Sequence, residues 1–166
     1  MNPEHMRKCR EYLDQALARG HIEPCKSEWS SPFFFKKELQ RDGTYRLRPI
    51  VDYTQLNDLT VKNCYPLPLI RDILDGLGLD NLYTALDVMW GFHNLALALA
   101  SRLLAAFCTP FGLFKPNVMQ FGMCNAPSLF QNLMNNMLEE EVATGHVKVY
   151  VDDILIHTKS SDRDYH

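Results

Sequence analysis

The sequence predicts an α+β fold. Apolar residues recur at helical spacing near the N-terminus and again after residue 125. Short apolar runs bounded by Gly, Pro or Asp lie between and beyond them. The order is helix, hairpin, helix, strand, an ambiguous segment, helix and hairpin.

Asn2 and Pro3 suit an N-cap and a first helical residue. Met6, Cys9, Leu13 and Ala16/Leu17 follow at helical spacing, and Gly20 closes the helix. Ser27 to Pro32 reads as loop. Phe33 to Phe35 and Tyr45 to Val51 read as two strands, with Asp42-Gly43 near their turn. Pro66 and Pro68 mark an extended connector after Tyr65. Ile70 to Leu77 predicts a short helix closed by Gly76 or Gly78. Leu82 to Val88 reads as a buried strand ending at an acid. Residues 94–107 stay open. Their composition favours helix, while the Leu/Ala alternation from Leu95 to Leu99 allows a strand. Asn125 and Pro127 start a helix with the stripe Phe130, Leu133/Met134 and Met137/Leu138, and Gly145 stops it. Val147 to Tyr150 and Ile154 to Thr158 form the last hairpin, with Asp152 and Asp153 at or near its turn.

Bulk properties narrow the class. The chain has 166 residues, 46% hydrophobic and 22% charged, which fits one globular domain with room for a smaller lobe. A net charge of −3 and a pI near 6.0 argue mildly against a dedicated nucleic-acid binder. Basic residues nonetheless concentrate in 36–48 (KKELQRDGTYRLR), five against two acids. The five cysteines are scattered and form no CxxC, which points to reduced thiols in an intracellular protein. No signal-peptide pattern or bilayer-length apolar stretch occurs, so no membrane partner is expected.

The stretch VYVDDILIH, residues 149–157, sets two carboxylates inside an apolar run. One reading is a solvated hairpin tip, since Asp favours turns. The other is a cation site. Asp87 ends a second apolar strand, and neighbouring strands would bring the acids to one sheet edge. Converged carboxylates repel unless protonated or bound to a cation. Oxygen ligands without His or Cys suit Mg²⁺, and a two-Mg²⁺ site serves nucleotidyl transfer.

The segment YVDDILI resembles the YxDD motif of reverse transcriptases. SEWSSPFFFKK, RLRPIVDYTQLN, TVKNCYPLPLIRDIL, YTALDVMWGFHN, FGLFKPNVMQFGMCNAPSLFQNLMN and VKVYVDDILIHTKS also occur in the order seen in LTR-retrotransposon enzymes. The likeness is greatest to the Gypsy-type group, with wording like its fungal members, and covers nearly the whole chain. It implies a right-hand polymerase fold. Residues 1–25 would be an N-terminal helix leading into the domain, 26–80 mainly fingers, and 81–166 mainly palm, stopping after the YVDD hairpin. The palm sheet would be mainly antiparallel and packed on helices, with the thumb absent.

The resemblance also implies roles. Asp87 and Asp152 would be the main Mg²⁺ ligands, Asp153 a lesser one, and the Val88 carbonyl could complete the coordination. Two ions are implied, with Mn²⁺ able to substitute. Phe92 matches the aromatic that lies under the incoming sugar and favours deoxynucleotides; on residues alone it is a core aromatic. Arg48 and Arg46 match positions that contact the triphosphate, for which guanidinium suits; the alternative is a solvated hairpin face. Lys36, Lys37 and Arg41 stay nearer that alternative, although Lys36 and Lys37 are candidates for primer–template contact. Phe121 and Gly122 match the loop near nucleotide and template. Tyr150 would sit beside the primer end. Asn125, Pro127 and Gln131 match the start of the palm helix, and capping alone also explains the first two.

The implied activity is RNA-directed DNA polymerisation, with deoxynucleoside triphosphates and a primed RNA or DNA template as partners. The remaining Pol regions (thumb, connection and RNase H) would be missing from this chain. Cytoplasmic particles or the nucleus would be its location. Several positions depart from the family pattern. A usually polar stretch is ALALASRLLAAF, the following Arg is Cys108, and a polar turn is Pro110-Phe111. The family's DYR reads Asp52-Tyr53-Thr54, Gln120 replaces an apolar residue, and the fingers turn KKELQRDG is long. Leu for charge on a palm hairpin exposes apolar area or buries it differently. These departures motivate a second reading, a degenerate and inactive remnant that at most binds nucleic acid or protein. A third is another Mg²⁺ phosphotransfer or nuclease enzyme, which the ordered motifs disfavour.

Overall fold

A computed structural model of the chain describes residues 2–40, 42–78 and 80–159. Two compact units interleave along the chain: Met1–Val61 with Phe92–Cys124, and Lys62–Gly91 with Asn125–His166. The expected fingers–palm boundary near residue 80 falls inside the second unit.

In the first unit, helix α1 spans Pro3–Ala18. Asn2 caps it as expected, its side-chain oxygen accepting from the His5 N–H at 2.8 Å. The buried stripe is Cys9, Leu13 and Ala16. Around it lies a five-stranded sheet of β1 (Ile22–Pro24), β2 (Ser31–Leu39), β3 (Tyr45–Val51), β5 (Phe107–Thr109) and β6 (Gly112–Pro116). The spatial order is β1-β6-β5-β2-β3. All pairings are antiparallel except β2–β5. That parallel pairing starts β2 inside the expected 27–32 loop, because the Ser31 N–H donates to the Ala106 carbonyl at 2.8 Å. The core joins the α1 stripe to Ile22, Phe33, Val51, Tyr53, Ala105, Phe107 and Phe114. Truncating a buried Phe such as Phe107 costs roughly 3–5 kcal/mol.

The ambiguous 94–107 segment holds both conformations in succession. Ala96 forms an isolated bridge to Val118, one helical turn (α4, Leu99–Arg102) follows, and the chain then enters β5. Arg102 ties this turn down through Nε to the Leu97 carbonyl (3.0 Å) and a guanidinium N–H to Asn117 Oδ1 (2.9 Å). Ala105, Ala106 and Phe107 are buried, but Leu99, Leu103 and Leu104 are exposed, Leu99 at 78%. A further helix, α2 (Thr54–Leu59), follows β3.

The second unit contains α3 (Ile70–Asp75), β4 (Leu82–Asp87), α5 (Ala126–Met137), α6 (Glu139–Ala143), β7 (Val147–Tyr150) and β8 (Asp153–Thr158). Its three-stranded antiparallel sheet has the order β4-β8-β7. Strand β4, expected to be buried, exposes Tyr83 and Leu86 about half. It is the sheet's edge, and only alternate residues, Leu82 and Thr84, are half-buried. Helix α5 buries Ala126, Phe130, Gln131 and Met134. The expected stripe loses its end. Met137 is exposed, because the helix breaks at Leu138 before α6. Asn125 does not cap α5 with its side chain. Its Oδ1 accepts from the Asn63 N–H at 2.9 Å and so latches the 62–69 connector.

Candidate active site

Strands β4 and β8 pair in register from Leu82↔Thr158 to Asp87↔Asp153. The Val88 N–H donates to the Asp152 carbonyl at 2.9 Å. Asp87 and Asp153 therefore form a non-hydrogen-bonded cross-strand pair, the kind in which side chains approach most closely. Like charges so placed repel. Two of the three expected carboxylates thus stand directly opposite each other, and the third, Asp152, is next along the turn. Among the described residues no group of three or more His, Cys, Asp or Glu is close enough to hold a metal ion.

The turn itself is unusual. Tyr150↔Asp153 is the last pair of the β7–β8 ladder, which leaves Val151 and Asp152 as its two turn residues. Val151 has φ +55°. A positive φ at the first turn position is the geometry that normally demands Gly, and a β-branched residue there is strained. Trp90, with φ +65°, is the other non-glycine residue of positive φ among those described. It lies three residues past Asp87, so both outliers adjoin the acids. Gly91 follows. A Cβ there would stand 3.4 Å from the Asp152 side chain, so the missing side chain gives that carboxylate its space. The Gly91 N–H donates to the Val88 carbonyl at 3.1 Å.

From α5, Gln131 reaches this turn. It is fully buried, accepts from the Val151 N–H through Oε1 at 2.7 Å, and donates to the Val149 carbonyl at 3.2 Å. Sequence reasoning placed Gln131 only at the start of a helix. Its spacing to Met134, three residues on, was the available signal that it shares the buried face. At the far end of β8, buried His157 meets the Asp80 carboxylate through Nδ1 at 2.6 Å.

The expected nucleotide-contacting residues belong to the first unit. Phe92 is buried and meets Phe121 edge-on at 4.9 Å between centroids. Phe121 is 47% exposed, and the Arg48 guanidinium carbon lies 5.3 Å from its ring centre. Arg48 also pairs with Glu38 at 3.8 Å, a half-exposed contact worth little. Arg46 lies opposite Glu38 in the β2–β3 ladder, Lys36 opposite Arg48, and Lys37 opposite Leu47. Arg41 lies outside the described residues. Gly122 has φ +92°. Asn57, which sequence reasoning missed, brackets this loop. Its amide donates to the Gly122 carbonyl at 2.7 Å and accepts from the Cys124 N–H at 2.8 Å. No local signal in the short TQLNDL helix marks it.

Fewer than three protein carboxylates suffice where substrate oxygens complete a divalent cation's coordination. Asp87, Asp152, Asp153 and the Val88 carbonyl are all hard oxygen donors.

Comparison with known proteins gives the family. The model for reverse transcriptase (RNA-dependent DNA polymerase) matches residues 36–166. The retrovirus-related Pol polyprotein from transposon 297 of Drosophila melanogaster is 33% identical over 157 residues, covering 94% of this chain and 15% of that protein. The transposon Tf2-3 polyprotein of Schizosaccharomyces pombe is 35% identical over 158 residues, covering 95% of this chain and 12% of that protein. The chain thus spans less than a sixth of the length of these two relatives. Among solved structures, a mutant prototype foamy virus protease-reverse transcriptase aligns with TM-score 0.80 and 25% identity, over 96% of this chain and 21% of that one. A foamy viral protease-reverse transcriptase in complex with RNA/DNA hybrid shares the fold, with TM-score 0.78 and 20% identity over 96% of this chain and 21% of that one. The mainly antiparallel sheets, the paired acids and these matches agree: the chain belongs to the reverse transcriptase family, as a domain of the kind carried in retrotransposon Pol polyproteins.

Proposed function

We propose that this chain is the fingers–palm part of an RNA-directed DNA polymerase that adds deoxynucleotides to a primer on an RNA or DNA template. The observation that carries the reading is the Asp87↔Asp153 cross-strand pair with Asp152 in the adjoining turn. Asp87 and Asp152 would be the main ligands of two Mg²⁺ ions, with Asp153 and the Val88 carbonyl in support. Held by these residues, the ions would supply positive charge beside the primer 3′-OH and the triphosphate. Arg48 and Arg46 bind the triphosphate as guanidinium donors. Phe92, braced by Phe121, excludes a ribose 2′-OH. Gly122 lets the backbone come close to nucleotide and template, Tyr150 contacts the primer end, and Lys36 and Lys37 contact backbone phosphates. Nucleic acid as partner is supported by the family and by structural neighbours bound to RNA/DNA hybrid and to double-stranded DNA.

The test is Mg²⁺-dependent extension of a primed RNA template, with Asp152→Asn alongside. Extension lost in the variant supports the reading, and extension that survives removes Asp152 from the chemistry. One observation favours the inactive-remnant reading. Leu99, Leu103 and Leu104 are exposed in the stretch that the resemblance to the family expects to be polar. Failure of the wild-type chain to extend, followed by recovery when polar residues replace these leucines, would establish it.

A further inference from the structure

Strand β7 is the outer strand of its sheet, and Val149 occupies a non-hydrogen-bonded position opposite Ile154. The Val149 carbonyl and the Val151 N–H therefore face away from β8, along the open edge. Gln131 meets both, donating to one and accepting from the other. Its side-chain amide does what the backbone of an additional strand would do. An apolar residue in its place would leave both buried groups unpaired.

The amide is itself oriented. Gln131 Nε2 also donates to Asn135 Oδ1 at 2.8 Å, so both of its protons point at acceptors. A flipped amide would set N–H against the Val151 N–H. Asn135 is fixed in turn, because its own amide donates to the Tyr65 hydroxyl at 2.8 Å. The relay runs from the connector through two side chains to the turn with the positive φ at Val151.

Resting on the polymerase reading, we propose that Gln131 is a positioning residue. Anchored through Asn135 to Tyr65, it holds the Tyr150–Asp153 turn in its strained form and so sets where the Asp152 carboxylate stands. Substrate and metal are touched by the acids; Gln131 acts through them.

Amide hydrogen exchange of the full chain, read by NMR, tests the clamp apart from catalysis. The Val151 amide is compared with the Thr84 amide, which lies in the β4–β8 ladder. In Gln131→Ala, Val151 exchange accelerates by about tenfold or more relative to Thr84, the expected consequence of losing a buried hydrogen bond. Tyr65→Phe, at a half-buried position far from the turn in sequence, accelerates it less but in the same direction, and it keeps the test open should Gln131→Ala fail to fold. Primer extension supplies the second arm. Gln131→Ala lowers kcat by about tenfold or more, in the range for partners of ligand residues, with KM for the nucleotide unchanged. Adding Val151→Gly, which tolerates the positive φ unaided, restores part of it.

Acceleration of Val151 and Thr84 in step would make Gln131 mere packing and overturn the proposal. So would a double variant no better than Gln131→Ala. If no form extends primer while Val151 alone loses protection, the clamp stands and the polymerase reading falls.

Discussion

In the β2–β3 hairpin the turn contains Asp42 and Gly43, whereas in the β7–β8 hairpin it is made by Val151 and Asp152. Gly43 takes φ +81° without a Cβ to object. Asp42 accepts from both the hydroxyl and the N–H of Thr44, at 2.7 and 2.9 Å. This turn is specified by its own residues. Val151 takes a similar sign of φ with a β-branched side chain, and the bond that restrains it comes from Gln131, 20 residues earlier on α5. On the polymerase reading the residues of this turn serve the acids, and restraint then has to come from elsewhere in the fold.

The strongest way to sharpen the contrast is to make one substitution in both turns. Asp152→Asn is expected to lower primer extension by about 10²–10³-fold or more, with little change in melting. Asp42→Asn is expected to leave extension unchanged. Equal effects in the two turns would erase the distinction. Next in size is Gln131→Ala, which strands two buried backbone groups and costs about 2–3 kcal/mol in urea unfolding. A cost within that of an exposed substitution would show that the turn stands without its clamp. Gly43→Val tests the opposite turn. Nothing lies within 4 Å of the added Cβ, so only backbone strain opposes it, and about 1–2 kcal/mol is expected. No loss there would mean the turn does not depend on its glycine.

The smallest effect is one of pH. Hydrogen bonds from the Thr44 hydroxyl and then its N–H hold the Asp42 carboxyl below its ordinary value of 3.8. The folded form therefore binds the proton less readily than the unfolded form. The Asp42 contribution is present above pH 3.8 and is lost as pH falls through the lower folded value. The Thr44 amide resonance should shift in that acid window. The Gln131 amide carries no titratable proton, so the bond it makes to the Val151 N–H has no such acid window of its own. A Thr44 resonance unmoved below pH 3.8 would contradict the assigned bonds.

The same contrast explains what the sequence showed. Helix α1, the two hairpins and the start of α5 were legible because their signals are local: an Asn-Pro start, an Asp-Gly turn and stripes of apolar residues. Strand β1 was not, since its three residues form a strand only by pairing with β6, some 90 residues away. Residues 94–107 were ambiguous for a physical reason. Ala96 bonds like a strand and Leu99 begins a helical turn, so neither period governs the whole. Asp87 was legible as a strand end and Asp152 and Asp153 as lying at or near a hairpin turn, while the roles expected of them came only from the family resemblance. Gln131 and Asn57 were not, because a buried amide is recognised by the backbone groups it meets, and these lie far away in sequence.

The most direct measurement is single-deoxynucleotide incorporation on a primed RNA template with Mg²⁺, comparing wild type with Asp87→Asn, Asp152→Asn and Asp153→Asn. The account predicts incorporation by wild type, a loss of about 10²–10³-fold or more in the first two variants, and a smaller loss in the third. Wild-type rates in Asp87→Asn or Asp152→Asn would contradict it.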